Sequence, residues 1–176
     1  MIDITEVNRS VSEQRLFLAV LPPSEVVEVL AGMPRPEAPG LRWTRPHQWH
    51  VTLRFLGHAD PEDVVAAMAS FSWTSAVADL GPVSATLGRH VVMVPVSGLD
   101  DLASVVTAAT ARVGTPPEGR PFVGHLTLAR SKGPVPAGSA GTPISASFPV
   151  GEVCLVHSRA LPDGVEYEVL ERFSLA

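Results

Sequence analysis

The chain has 176 residues, is 45% hydrophobic and 18% charged, and carries a formal charge of −5 at pH 7. This is the composition of a folded rather than a disordered protein, long enough for one domain or two tightly joined lobes. There is no run of about 18 apolar residues to cross a membrane, and the acidity argues against coating long nucleic acid, though not against gripping one phosphate in a pocket. The opening stretch is polar, without the basic-then-apolar signature of a secretion signal, and residues 1–12 read as a flexible tail. Arg15–Leu21 is a short apolar run closed by Pro22-Pro23, hence a buried strand. Ser24 then caps a helix over Glu25–Met33, with Glu25 and Glu28 near its positive end. Pro34, Pro36 and Pro39 form a loop, Leu41–Thr44 is a short strand, and Gln48–Leu56 a longer one. Asp60-Pro61-Glu62-Asp63 opens a second helix, reaching about Phe71.

Strand-like sequence resumes at Ala76 and continues through Val83–Leu87 and His90–Val96, followed by a third helix over Asp100–Arg112. Phe122–Arg130 is again a strand, and Lys132–Pro143, rich in Gly, Pro, Ala and Ser, an open loop. The last strands, Glu152–Ser158 and Tyr167–Leu175, are joined through a Pro162-Asp163-Gly164 turn. The order implies two similar halves in one bilobal domain over residues 13–176. Cys154, the only cysteine, lies in an apolar run and reads as a buried, inert thiol that fits a cytoplasmic setting.

One pattern occurs twice: His50-Val51-Thr52-Leu53 and His125-Leu126-Thr127-Leu128. On a strand, side chains two apart share a face, so each copy aims an imidazole and a hydroxyl in one direction, with aliphatic residues behind. A single His-x-Thr means little, because Thr is an ordinary strand residue. Two copies with one flanking rhythm fit acid–base work on a single anionic group. Histidine's pKa of about 6.5 lets a neutral and a protonated ring coexist near neutral pH.

The segments Arg15-Leu-Phe-Leu-Ala-Val, Leu41-Arg-Trp-Thr, His50 through Gly57 and His125 through Arg130 resemble the 2H phosphoesterase superfamily, in particular its RNA 2′,3′-cyclic phosphodiesterase (2′-5′ RNA ligase-like) branch. Leu155 through Arg159, with Tyr167 and Phe173 to Leu175, extends the similarity in order. The resemblance implies an α+β fold of two pseudo-symmetric lobes, with antiparallel sheets lining a central groove and helices outside. It implies a hydrolase that opens RNA terminal 2′,3′-cyclic phosphates to 2′-phosphomonoesters without a metal or other cofactor. His50 is then the proton donor and His125 the proton acceptor, with Thr52, Thr127 and Arg130 binding the phosphate. Strict alternation sets Arg130 on the face opposite His125 unless a bulge redirects it.

The expected partners are RNA 3′ ends or small nucleotides carrying a cyclic phosphate, met by a monomer away from any membrane. The alternatives are a 2H enzyme acting on a small cyclic nucleotide, a 2′-5′ oligonucleotide or an ADP-ribose derivative, and a non-catalytic nucleotide-binding module. The His spacing fits no familiar zinc-hydrolase helix motif. Arg54 shares the His50 face by parity. Trp43 and Trp49 fit core packing, with base stacking as the rival role. His47, His58 and His90 read as exposed positions. His157 departs from the smaller or acidic residue expected there, and the Lys132–Pro143 loop from the helix usual to the family.

Overall fold

The computed structural model describes residues 14–69 and 71–175, so the tail expected over residues 1–12 lies outside the described residues. Strand β1 (Gln14–Val20) is apolar on both faces. Leu16, Leu18 and Val20 enter the main core, while Phe17 and Ala19 pack on the opposite face with Cys154 and Val156. Helix α1 (Ser24–Ala31) buries Val26 and Leu30, one turn apart. Its cap position belongs to Pro23 rather than Ser24, because the Pro23 carbonyl already accepts from the Val26 and Val27 N–H groups at 3.0 Å. Strand β2 (Leu41–Trp43), a 3₁₀ turn (Pro46–Gln48) and strand β3 (Val51–Ala59) lead to helix α2 (Pro61–Met68). The anticipated cap is present there: Asp60 accepts from the Glu62 N–H at 2.9 Å.

Strands β4 (Ala76–Leu80), β5 (Ala85–Leu87) and β6 (Val91–Ser97) precede helix α3 (Asp100–Ala109) and strand β7 (His125–Ser131). Strand β8 (Ala146–Val150) has no counterpart among the elements expected from sequence, since its Ser, Ala and Pro content does not read as a strand. It pairs with β4 alone at the end of the sheet, where Pro149 costs no ladder bond on the outer side. No helix forms between Lys132 and Pro143. The hairpin of β9 (Glu152–Leu161) and β10 (Gly164–Ser174) closes the fold.

All pairings are antiparallel, in the order β10-β9-β1-β3-β7-β6-β4-β8, with β2 added to β7 and β5 to β6. The curled sheet is therefore two four-stranded arms that meet between β3 and β7, where the one registered pair is Val51 with Leu126. The arms match: β1-α1-β3 and β6-α3-β7 each run from a flanking strand through a helix to a strand carrying the repeated motif. Helix α3 packs on β3, α1 on β8, and α2 against α3 and β10. This is the expected α+β architecture. No helix among the described residues is long and apolar enough to cross a membrane.

Val51 and Leu126 are almost wholly shielded from solvent, so the joint between the arms is apolar on its core side. Leu126→Ala is expected to lower unfolding stability by about 2–5 kcal/mol, read from urea midpoints at constant m value.

Candidate active site

The two motifs meet at the Val51–Leu126 bridge. Continuing the antiparallel register one step each way sets Thr52 opposite His125 and His50 opposite Thr127. Val51, Leu53, Leu126 and Leu128 are buried in the core, while His50, Thr52, His125 and Thr127 are half-buried on the other face. The two imidazoles are thus diagonal neighbours, with backbone positions about 7–8 Å apart, and the two threonines occupy the other diagonal.

Each ring is held alike. His50 Nδ1 lies 2.8 Å from the Gln48 carbonyl oxygen, and His125 Nδ1 lies 2.8 Å from that of Val123, both two residues upstream. A carbonyl only accepts, so Nδ1 carries the hydrogen and Nε2 is the atom free to exchange a proton. The Gln48 anchor is itself fixed: its side-chain oxygen accepts from the Arg45 N–H at 2.9 Å, and its amide donates to the Val165 carbonyl at 3.0 Å. Trp49 Nε1–H donates to the Thr44 hydroxyl at 2.9 Å, which donates to the Thr127 and Leu128 carbonyls at 3.0 and 2.9 Å. The approach to the first motif is therefore tied to the strand carrying the second.

The surroundings of the two rings differ. Phe17 packs against His50 at 4.7 Å and Tyr167 meets it edge-on at 5.0 Å; no such ring contact occurs at His125 among the described residues. Burial lowers the His50 pKa from 6.5 to about 4; the Gln48 carbonyl opposes the shift, and the Arg130 and His125 charges add to it. Phe17 and Tyr167 do not stand out as site residues in the sequence. The available signal is the apolar run of β1, which is too continuous for a strand with one polar face.

Arg130 reaches the histidine face through a bulge. The β6–β7 register passes from Met93–Thr127 to Val92–Ala129 and leaves Leu128 unmatched. Leu128 and Ala129 are consequently both buried and Arg130 is exposed. Strand β3 repeats the device: Ala19 pairs with Thr52 and Leu18 with Arg54, skipping Leu53. Here the bulge removes Arg54 from the face that parity gave it. Its guanidinium is buried and donates to the Phe55 and Thr115 carbonyls, and desolvation lowers its pKa.

Trp49 is buried, and Trp43 packs on the core with its Nε1–H on the Pro36 carbonyl at 3.0 Å. Both are packing residues. His47, His58 and His90 are exposed, the last with Nδ1 2.9 Å from the Gly133 carbonyl oxygen. His157 faces Glu168 at 4.0 Å. Cys154 is buried, and desolvation with the Glu152 charge raises its pKa to about 11. Among the described residues no three His, Cys, Asp or Glu side chains converge as a metal-ligand set.

The family profile described as "LigT like Phosphoesterase" matches residues 20–81. The chain is 31% identical to the RNA 2′,3′-cyclic phosphodiesterase of Thermus thermophilus, over 92% of this chain and 90% of that one. It is 27% identical to the protein of the same name from Bacillus subtilis, over 77% and 81%. The crystal structure of E. coli LigT complexed with 3′-AMP superposes with a TM-score of 0.77 at 25% identity, over 93% of this chain and 99% of the other.

The His50 environment predicts a pH dependence of stability. Between pH 4 and 6.5 the unfolded chain binds a proton that the folded chain refuses, so stability falls as the pH drops from 6.5 toward 4, by about 3 kcal/mol in all. His50→Gln removes this term, and its stability loss between pH 7 and pH 4 is expected to be correspondingly smaller in urea titrations at each pH. An NMR titration of the free protein is expected to show the His50 ring titrating near pH 4.

Proposed function

The chain belongs to the LigT-like phosphoesterase family, and on that footing we propose that it opens 2′,3′-cyclic phosphates at RNA 3′ ends to 2′-phosphomonoesters, using two histidines and no metal. The observation that carries this reading is the diagonal His50–His125 pair, each ring with Nδ1 anchored and Nε2 free, flanked by Thr52 and Thr127. The names of the relatives in T. thermophilus and B. subtilis favour the same substrate class.

Opening the ring requires water to attack phosphorus while the 3′ oxygen departs on the far side. His125 Nε2 takes a proton from the water as the new P–O bond forms. His50 Nε2–H gives a proton to the 3′ oxygen as its bond to phosphorus breaks, and the product keeps the phosphate on the 2′ oxygen. Each proton transfer contributes about 10²–10⁴ in rate. Thr52 and Thr127 donate hydroxyl hydrogen bonds to the non-bridging oxygens, and Arg130 offsets their growing charge. Both motifs lie in one chain, so a monomer formed by residues 13–176 suffices for the reaction.

The low His50 pKa sets a condition on this assignment, because the free protein holds that ring neutral at pH 7. The anionic substrate offsets the Arg130 charge and favours the protonated His50 ring, so substrate and proton bind together. The same observation favours a second reading with the roles exchanged, His50 as base and His125 as acid. Small nucleotides remain within the substrate class, since a relative crystallises with 3′-AMP.

Cyclic-phosphate-terminated oligonucleotide is expected to be hydrolysed in excess EDTA, and absence of product with folded protein would defeat the proposal. His50→Ala and His125→Ala are each expected to lose about 10²–10⁴ in kcat. A phosphodiester with a nitrophenolate leaving group assigns the roles: loss of the acid matters little when the leaving group needs no proton. The His50→Ala defect is expected to shrink on that substrate while the His125→Ala defect persists; the opposite pattern exchanges the two roles.

A further inference from the structure

Beyond Arg130, strand β7 carries a second feature on the histidine face. Strand β2 pairs with it in unbroken register: Trp43 with Ala129, Arg42 with Arg130, Leu41 with Ser131. Trp43 and Ala129 both point into the core, so Arg42 and Arg130, one step along, both point away from it. Both are exposed. The pairing continues past the strand ends, with the Lys132 N–H donating to the Gly40 carbonyl at 3.0 Å. That contact returns Lys132 to the Arg130 face, two residues further along.

Two guanidinium groups directly opposed across an antiparallel pair repel one another, and a third cation follows about 6.6 Å further along the strand. Among the described residues none of the three forms an ion pair with a carboxylate. In a chain of net charge −5, acidic side chains are plentiful, yet none among the described residues neutralises this row. Such an arrangement is stabilised by an external anion, and the planar fork of arginine suits phosphate oxygens. The row begins at Arg130, whose charge is felt at His50, and leads outward. Its cation spacing is comparable to that of consecutive phosphates in an extended single strand.

We propose that Arg42 and Lys132 form a phosphate track that holds the phosphodiester immediately 5′ of the reacting nucleotide, so that the protein favours an oligonucleotide end over a lone nucleoside cyclic phosphate. This rests on the proposed function and specifies its substrate as one bearing at least one internal phosphate. Arg42 acts here as a specificity residue: it touches the substrate chain, not the reacting phosphorus.

The test is made on the full chain in two arms. In the first, fluorescence anisotropy measures binding of a trinucleotide ending in a 2′-phosphate, with a nucleoside 2′-monophosphate as competitor. Arg42→Ala is expected to weaken trinucleotide binding about tenfold, to weaken the mononucleotide less than about threefold, and to lower the salt slope by about 0.7. Arg42→Lys recovers most of the loss, and Lys132→Ala repeats the pattern more weakly. In the second arm, the ratio of kcat/KM for the trinucleotide cyclic phosphate to that for the nucleoside cyclic phosphate falls about tenfold in Arg42→Ala, through KM. Equal weakening of both ligands places Arg42 at the reacting phosphate and overturns the track, as does no weakening at all. Trinucleotide binding with the expected pattern but without hydrolysis would leave the track standing and overturn the catalytic reading.

Discussion

A single backbone pairing carries the architecture of the site. Val51 and Leu126 are the registered pair between β3 and β7, and everything to either side belongs to one arm or the other. Because side chains alternate along a strand, burying these two residues obliges their neighbours to face outward together. The core side of the joint is aliphatic and dry; the outer side therefore receives His50, Thr52, His125 and Thr127 as a set. Proximity of residues 75 positions apart in sequence follows from one contact and the pleat of the sheet.

The second device is the paired bulge. In each motif strand the leucine after His-x-Thr is skipped by the neighbouring strand, at Leu53 beside β1 and at Leu128 beside β6. Each bulge reverses the parity of the residues C-terminal to it. In β7 the reversal delivers Arg130 to the face of His125 and Thr127. In β3 it buries Arg54 against the Phe55 and Thr115 carbonyls and leaves Phe55 exposed at the position matching Arg130. The same backbone operation thus supplies a cation on one arm and an aromatic ring on the other, and Arg15 lies over that ring at 5.3 Å.

The frame is symmetric, but its chemistry is not. Both imidazoles are fixed through Nδ1 to a carbonyl two residues back, yet only His50 sits between Phe17 and Tyr167. Desolvation there disfavours the charged ring, and a bound anion favours it. Two identical side chains sit in unequal surroundings because Phe17 of β1 and Tyr167 of β10 wall only one of them with aromatic rings. Inequivalence of this kind is what a reaction with separate acid and base steps requires of two like residues.

The doubled motif, the apolar runs and the Asp60 cap were legible from residue order alone, because strand periodicity and capping are local rules. So were the α+β composition of the fold and the four side chains, His50, Thr52, His125 and Thr127, that share one face of the joint. Strand β8 was not legible: its pairing with β4 depends on a partner about 70 residues away, and its own composition is that of a loop. The faces of Arg130 and Arg54 were not legible either, since a bulge is set by the neighbouring strand's register and not by the bulged sequence. What the sequence by itself determined was the chemistry on offer, two imidazoles and two hydroxyls on alternating strands. Only the tertiary structure decided which ring is desolvated and which arginines share the face of the histidines, because burial and register are properties of what packs alongside a strand.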